Sequence, residues 1–244
     1  MKILPTLNIQ NGMAIPIAGE AAAGEGGTLV PGDPAFLVAF LMDHGCHRLA
    51  LVDVDAARGR GNNRELIARL MQKFHAGRPK VCIQVGGGIR SSDQAQFFLD
   101  HGAIWLAVGT ILQRSPLLVD QLLARFREHL TAAVDARAGE VLASGWGDPS
   151  GQKLVAVGER IRNHGFKRLL FMDIPLEAGA APDFAGARIL AESSHLPVYM
   201  GGSIRTLAEL AQAREHPGLQ GVVMDALLLH ADPALPVSLK LSCG

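Results

Sequence analysis

The chain has 244 residues, 48% of them hydrophobic and 19% charged, with 23 basic and 23 acidic side chains. That balance fits a folded domain with a sizeable core and excludes a disordered chain. A formal charge of zero argues against nucleic acid or an anionic membrane as a bulk electrostatic partner and leaves only local anion sites open.

The opening, MKILPTLNIQNG, turns polar after Ile9, too early for the core of a signal peptide. No apolar run reaches the roughly 20 residues that span a bilayer. Cys46, Cys82 and Cys243 are far apart, without CxxC or paired Cys/His spacing, so a reducing cytosol is the expected compartment. The nine histidines form no ligand pair, and no metal site is expected.

In chain order, short aliphatic runs at 2–8, 48–53, 80–85, 104–108, 130–135, 168–173, 197–200 and 220–224 read as strands. They are almost continuously apolar, as strands of a parallel sheet buried on both faces must be. Helical patterns lie between most of them, at 34–44, 63–75, 92–101 and 206–215 among others. His-Gly pairs at 44–45, 101–102 and 164–165 end three helices, with glycine suited to the left-handed cap and histidine to the negative end of the dipole. Gly-rich 19–33 reads as a mobile loop after the first strand. Eight strand-then-helix units in about 250 residues predict a single (β/α)8 barrel domain over residues 1–244. A doubly wound open sheet is the alternative, but it would carry a GxGxxG turn after the first strand, where the chain has NIQNGMAIP.

An internal repeat favours the barrel. HGCHRLALVDVD (44–55) matches HGFKRLLFMDIP (164–175), and QVGGGIR (84–90) matches YMGGSIR (199–205). The second offset, 115 residues, carries AVGT (107–110) onto VVMD (222–225) without a gap, and PTLNI (5–9) aligns more weakly with AAVDA (132–136). The prediction is therefore a barrel of two related halves with no linker between them.

Chemistry is expected at the C-terminal strand ends. Gly86, Gly87 and Gly88 let a backbone approach a ligand closely, just before a helix start with free N–H groups. Gly109 and Thr110 repeat the design one strand later, so the two turns together read as a phosphate cup. Arg90 and Arg205 are candidates to steady a phosphate, or else solvated residues at helix starts. Asp53, Asp135 and Asp173 fall at strand ends as catalytic candidates, against the alternative that they cap helices or brace loops. Trp146, in a Gly-rich loop, is a candidate to stack on a planar ligand, whereas Trp105 reads as core.

In combination, LVDVDAARG, IQVGGGIRSSD, AVGT, AVDAR, SGW and MDI resemble, in order and spacing, the histidine-biosynthesis barrels. These are the isomerase of phosphoribosylformimino-aminoimidazole carboxamide ribotide and its sister, the cyclase subunit of imidazole glycerol phosphate synthase. The resemblance covers nearly the whole chain, and SGW (144–146) favours the isomerase. It implies a two-fold repeated barrel with one phosphate cup per half, a ligand phosphorylated at both ends, an Amadori rearrangement of aminoaldose to aminoketose, and no cofactor. It also implies an acid/base aspartate at the end of the first strand and another at the end of the fifth.

The chain keeps Asp135 on the fifth strand but has Asn8 on the first, and a neutral amide takes no proton near neutral pH. Loss of a positioned base costs typically ~10²–10⁴ in rate. In the second cup, Gly201, Gly202 and Ser203 are followed one strand later by Met224 and Asp225. A carboxylate about 4 Å from a phosphate charge costs on the order of 4 kcal/mol per charge pair near a surface. The family's Asp-Gly-Thr after the sixth strand becomes EAGA (177–180), the Thr before that strand's Asp becomes Met172, and the loop arginine expected near Ile15 is absent.

Three readings follow. The first is the histidine-pathway isomerase, with Asp135 as acid and Glu177 or Asp173 as substitute base. The second is a diverged enzyme of the same barrel taking a smaller monophosphorylated metabolite in another pathway, such as cofactor biosynthesis, its other end uncharged or cationic near Asp225. The third is a non-catalytic barrel that binds a metabolite or an unknown protein partner.

Overall fold

The computed structural model describes residues 1–16, 23–24, 27–28, 30–76, 81–143, 148–175 and 180–231. Eight parallel strands close a barrel: β1 (Lys2–Gln10), β2 (Arg48–Asp53), β3 (Cys82–Gly86), β4 (Trp105–Val108), β5 (Leu130–Arg137), β6 (Leu169–Asp173), β7 (Val198–Gly201) and β8 (Leu219–Asp225). Each pairs with its sequence neighbours. The ring shuts where β8 meets β1, with Gly221 beside Lys2 and Asp225 beside Thr6. The main helices follow the strands in order: α1 (Pro34–Asp43), α2 (Arg64–His75), α3 (Ser92–Asp100), α4 (Pro116–Phe126), α5 (Leu154–His164), α6 (Phe184–Ser194), α7 (Leu207–Glu215) and α8 (Ala226–Ala231). The (β/α)8 prediction holds.

Strand alternation divides the core. On β1, Ile3, Leu7 and Ile9 join the large layer between strands and helices, whereas Leu4 belongs to a smaller cluster with Ala50, Leu170, Met172 and Val223. Successive side chains on a strand point to opposite faces, and here both faces are covered, which is why the runs look uniformly apolar.

The helix ends follow their local chemistry. Asp33 caps α1 by accepting from the Ala35 N–H, and Pro34 takes the first helical position. Thr206 and Glu209 close a capping box on α7. Gly45, Gly102 and Gly165 all have positive φ after their helices, and His44 and His101 each bond the carbonyl four residues back at 2.8 Å.

Two antiparallel extensions rise above the barrel on the C-terminal side. Met13–Ile15 folds back on β1, and Glu140–Ala143 folds back on β5 and pairs in turn with Asp148–Lys153. Residues 19–22, 25–26 and 29 of loop 19–33 lie outside the described residues, as do Trp146 and Glu177.

Candidate active site

One pocket, enclosing about 130 Å³, is lined mainly by the strand ends of the first half-barrel, with Ala133, Asp135, Leu170, Met172 and Val223 added from the second. Its lining includes Asn8 from β1, Gly86–Gly88 and Arg90 after β3, Gly109 and Thr110 after β4, and Asp135 from β5. Both turns of the predicted phosphate cup therefore face one space, shared with the two residues at the expected acid/base positions.

The glycines of the cup do different jobs. Gly87, at φ +91°, lies so near β2 that a Cβ would sit 2.2 Å from the Asp53 carbonyl oxygen, and Gly88, at φ +69°, is pressed against Ala56. These two are glycine because their turn passes hard against the end of β2 and the short helix, Val54–Arg58, that follows it. Gly109 has an ordinary backbone, and an added Cβ would meet the Ala133 oxygen at 3.3 Å, so packing requires it less.

Asp53 and Asp173 are buried braces, and they brace alike. Asp53 accepts from the Asn63 N–H at 2.6 Å, from Asn63 Nδ2 at 2.9 Å and from the Ala56 N–H at 3.0 Å. Asp173 accepts from the Asp183 N–H at 2.8 Å. Asn63 and Asp183 stand at the N-caps of α2 and α6, so each aspartate ties its strand end to the start of the next helix. Burial pushes the Asp173 carboxyl up, against the pull of the neighbouring Ser203 hydroxyl and the Asp183 N–H. The Ser203 Oγ is itself fully buried beside that carboxylate, without reaching hydrogen-bond geometry. Neither aspartate lines the pocket.

Arg90 and Arg205 are a second matched pair. The Arg90 guanidinium donates to the Ala57 carbonyl at 2.9 Å and that of Arg205 to the Ala180 carbonyl at 3.0 Å. Both steady the loop after the preceding strand, and of the two only Arg90 also lines the pocket. A cation not among the sequence candidates, Arg58, lines it too and donates to Gln10 Oε1 at 3.2 Å. Its signal lies in LVDVDAARG, a basic residue just beyond a catalytic-side strand end. Two arginines against the Asp135 carboxylate leave the lining net positive, which suits an anion.

The second set of turn residues sits differently. Gly201, Gly202, Ser203 and Asp225 do not line this pocket. Gly202 repeats the packing constraint of Gly87, since a Cβ there would stand 2.1 Å from the Asp173 carbonyl oxygen. Met224 is fully buried, and Asp225, 7% exposed, accepts from the Leu227 N–H at 2.8 Å, as a cap on the start of α8 would.

Asn8 is 3% exposed, and its Nδ2 has no hydrogen-bond partner among the described residues. No group of three or more histidine, cysteine or acidic side chains suited to a metal occurs among the described residues, and no helix there is long and apolar enough to cross a membrane.

A family model described as "Histidine biosynthesis protein" matches residues 2–232. Among curated proteins, the chain is 30% identical to the 1-(5-phosphoribosyl)-5-((5-phosphoribosylamino)methylideneamino)imidazole-4-carboxamide isomerase of Gemmatimonas aurantiaca, over 93% of both chains. It is 30% identical to the isomerase of that name from Sorangium cellulosum over 93% of both, and 25% identical to that of Thioalkalivibrio sulfidiphilus over 99% of both. A closed barrel with matched half-barrel braces and a glycine-lined pocket at its strand ends agrees with that match, and the chain belongs to the histidine biosynthesis protein family.

Proposed function

We propose that the chain is a diverged sugar-phosphate isomerase of the aldose–ketose type, acting on a small metabolite held by one phosphate. The relatives' printed name specifies two phosphoribosyl groups, and the Amadori-type rearrangement that the sequence resemblance implies is taken as the parent chemistry. The observation that carries the reading is the lining of the pocket. Gly86, Gly88, Gly109 and Thr110 share it with Asn8 and Asp135, while Gly201, Gly202, Ser203 and Asp225 are not part of it. In this reading the first cup anchors the phosphate, Arg58 and Arg90 supply the positive field, and Asp135 moves the proton. The second cup has lapsed, because a buried methionine and a capping carboxylate stand where backbone donors would be needed.

Two assays test this. In a histidine auxotroph lacking the isomerase, the gene is expected not to restore growth. In a thermal-shift series, monophosphorylated sugars are expected to raise the melting temperature, and a second phosphate on the ligand is expected to add nothing. Full complementation, or stabilisation that requires both phosphates, overturns the reading.

A further inference from the structure

The inner wall of the barrel is uneven, and the pocket follows its thin side. On β2 to β5 the inward positions that line it include Ala50, Gln84, Gly86, Ala107 and Ala133, whereas β6 and β8 contribute Leu170, Met172 and Val223. Barrel interiors are ordinarily filled by layers of bulky branched side chains. Small residues on one side leave a bore directly below the turns after β3 and β4 that form the cup. The whole pocket, at about 130 Å³, is well under the ~300 Å³ at which ligand sites usually start, so its occupant is slender.

Gln84 stands at the foot of this bore. It lies two residues before Gly86 on one strand, so both point inward, while Ile83 and Val85 join the layer against the helices. Register sets Gln84 level with Ala50 on β2, and Ala50 level with Thr6 on β1. Gln84 is 5% exposed, and it lines the pocket, as Thr6 does. The Gln84 carboxamide has no hydrogen-bond partner among the described residues, yet it is not sealed in as Asn8 Nδ2 and Thr131 Oγ1 are. The opening it keeps is onto the pocket. A buried amide without a partner costs stability unless a ligand or water supplies one. No charged lining residue reaches this depth. Arg58 and Arg90 follow the ends of β2 and β3, and Asp135 is level with Met172 near the end of β6.

Resting on the single-phosphate reading above, we infer that the ligand enters end-on, phosphate in the cup and carbon chain down the bore, and that Gln84 is the specificity residue that receives its far end. Gln84 lies two residues below Gly86, about 7 Å along the strand. A phosphate above the glycine turn thus reaches the carboxamide through an unbranched chain of roughly four carbons. The amide offers two N–H donors and a carbonyl acceptor, so it pairs with a hydroxyl or a carbonyl. A carboxylate or a second phosphate at that depth would be a buried charge without a counter-charge. The ligand class is therefore a short, straight-chain phosphate monoester with a neutral polar terminus. An open-chain aldose phosphate has that shape, and a ligand with two phosphoribosyl groups does not.

The test is calorimetry with inorganic phosphate, butyl phosphate, 4-hydroxybutyl phosphate and 3-carboxypropyl phosphate, on wild type, Q84M and A50V, with melting curves to check folding. In wild type, 4-hydroxybutyl phosphate is expected to bind about ten-fold tighter than butyl phosphate, and 3-carboxypropyl phosphate more weakly than either. Q84M keeps the volume and removes the amide, so it is expected to lose the preference for the hydroxyl with inorganic phosphate binding unchanged. A50V narrows the bore at the level of Gln84 and is expected to bring both uncharged esters down to the affinity of inorganic phosphate. A hydroxyl preference that survives in Q84M, esters unaffected by A50V, or a wild type that does not tell hydroxyl from methyl overturns the end-on placement. If a variant fails to fold, the wild-type comparison alone decides. Those results with inorganic phosphate still bound leave the single-cup reading standing, whereas no phosphate binding to wild type overturns that reading itself and this inference with it.

Discussion

Among single residues, the acidic side chains at the strand ends divide by what they touch. Asp135 faces the pocket; Asp53 and Asp173 hold loops. The sequence places all three at strand ends but cannot separate them, because the distinction depends on N–H groups ten residues further along at Asn63 and Asp183. Asp173 yields a pH prediction. Its folded carboxyl is raised by burial, so the folded state binds more protons than the unfolded one between the ordinary carboxylate range and the raised value. Its contribution to stability is therefore fullest at low pH and is lost as pH rises. In urea titrations, wild type is expected to gain stability relative to D173N as pH falls from about 7 to about 4. A difference that stays constant, or widens the other way, would show that Asp173 is not raised. The cup has its own residue-scale check. T110V is expected to weaken phosphate binding by on the order of ten-fold by calorimetry while leaving the melting temperature close to wild type, since a hydrogen bond to a charged group is worth about 1.5–3 kcal/mol.

For the secondary elements, the glycine turns show how two pressures write the same letters. Gly87 and Gly202 sit at φ +91° and +95°, each hard against the backbone of a neighbouring strand end. G87A and G202A are both expected to destabilise the fold by about 2–4 kcal/mol in denaturant titrations, through strain and overpacking. G109A is expected to cost less than about 1 kcal/mol of stability while weakening phosphate binding, because its backbone is ordinary and its nearest obstacle is 3.3 Å away. Equal stability losses at Gly87 and Gly109 would remove the distinction. The eight barrel strands are legible in the sequence because a continuous apolar run too short for a helix, bounded by turn residues, is what a strand buried on both faces requires. The extensions after β1 and β5 are harder to see. The first turns on Asn11 and Gly12, both at positive φ, and Asn-Gly is a strong hairpin signal, though the strand it returns on has only three residues. The second turns on Ala138 and Gly139, and alanine at φ +49° gives no such warning.

Across the whole molecule, the two halves share a skeleton and differ in use. Asp53 with Gly87 and Arg90 is repeated by Asp173 with Gly202 and Arg205, each trio bracing the same kind of loop. The barrel thus retains its two-fold construction where packing demands it, and departs from it where ligands would be handled, at Asn8 against Asp135 and at Gly109–Thr110 against Met224–Asp225. The repeat is readable because backbone crowding holds glycine and aspartate in place in both copies. The fate of the second cup is only half readable, since the letters show a changed turn but not that Asp225 bonds the Leu227 N–H. The central claim is one working anion cup per chain. Crystals soaked in inorganic phosphate test it most directly. A single phosphate is expected, held between Gly88 and Thr110, with none at Gly202–Ser203. Phosphate at equal occupancy in both places would contradict the claim.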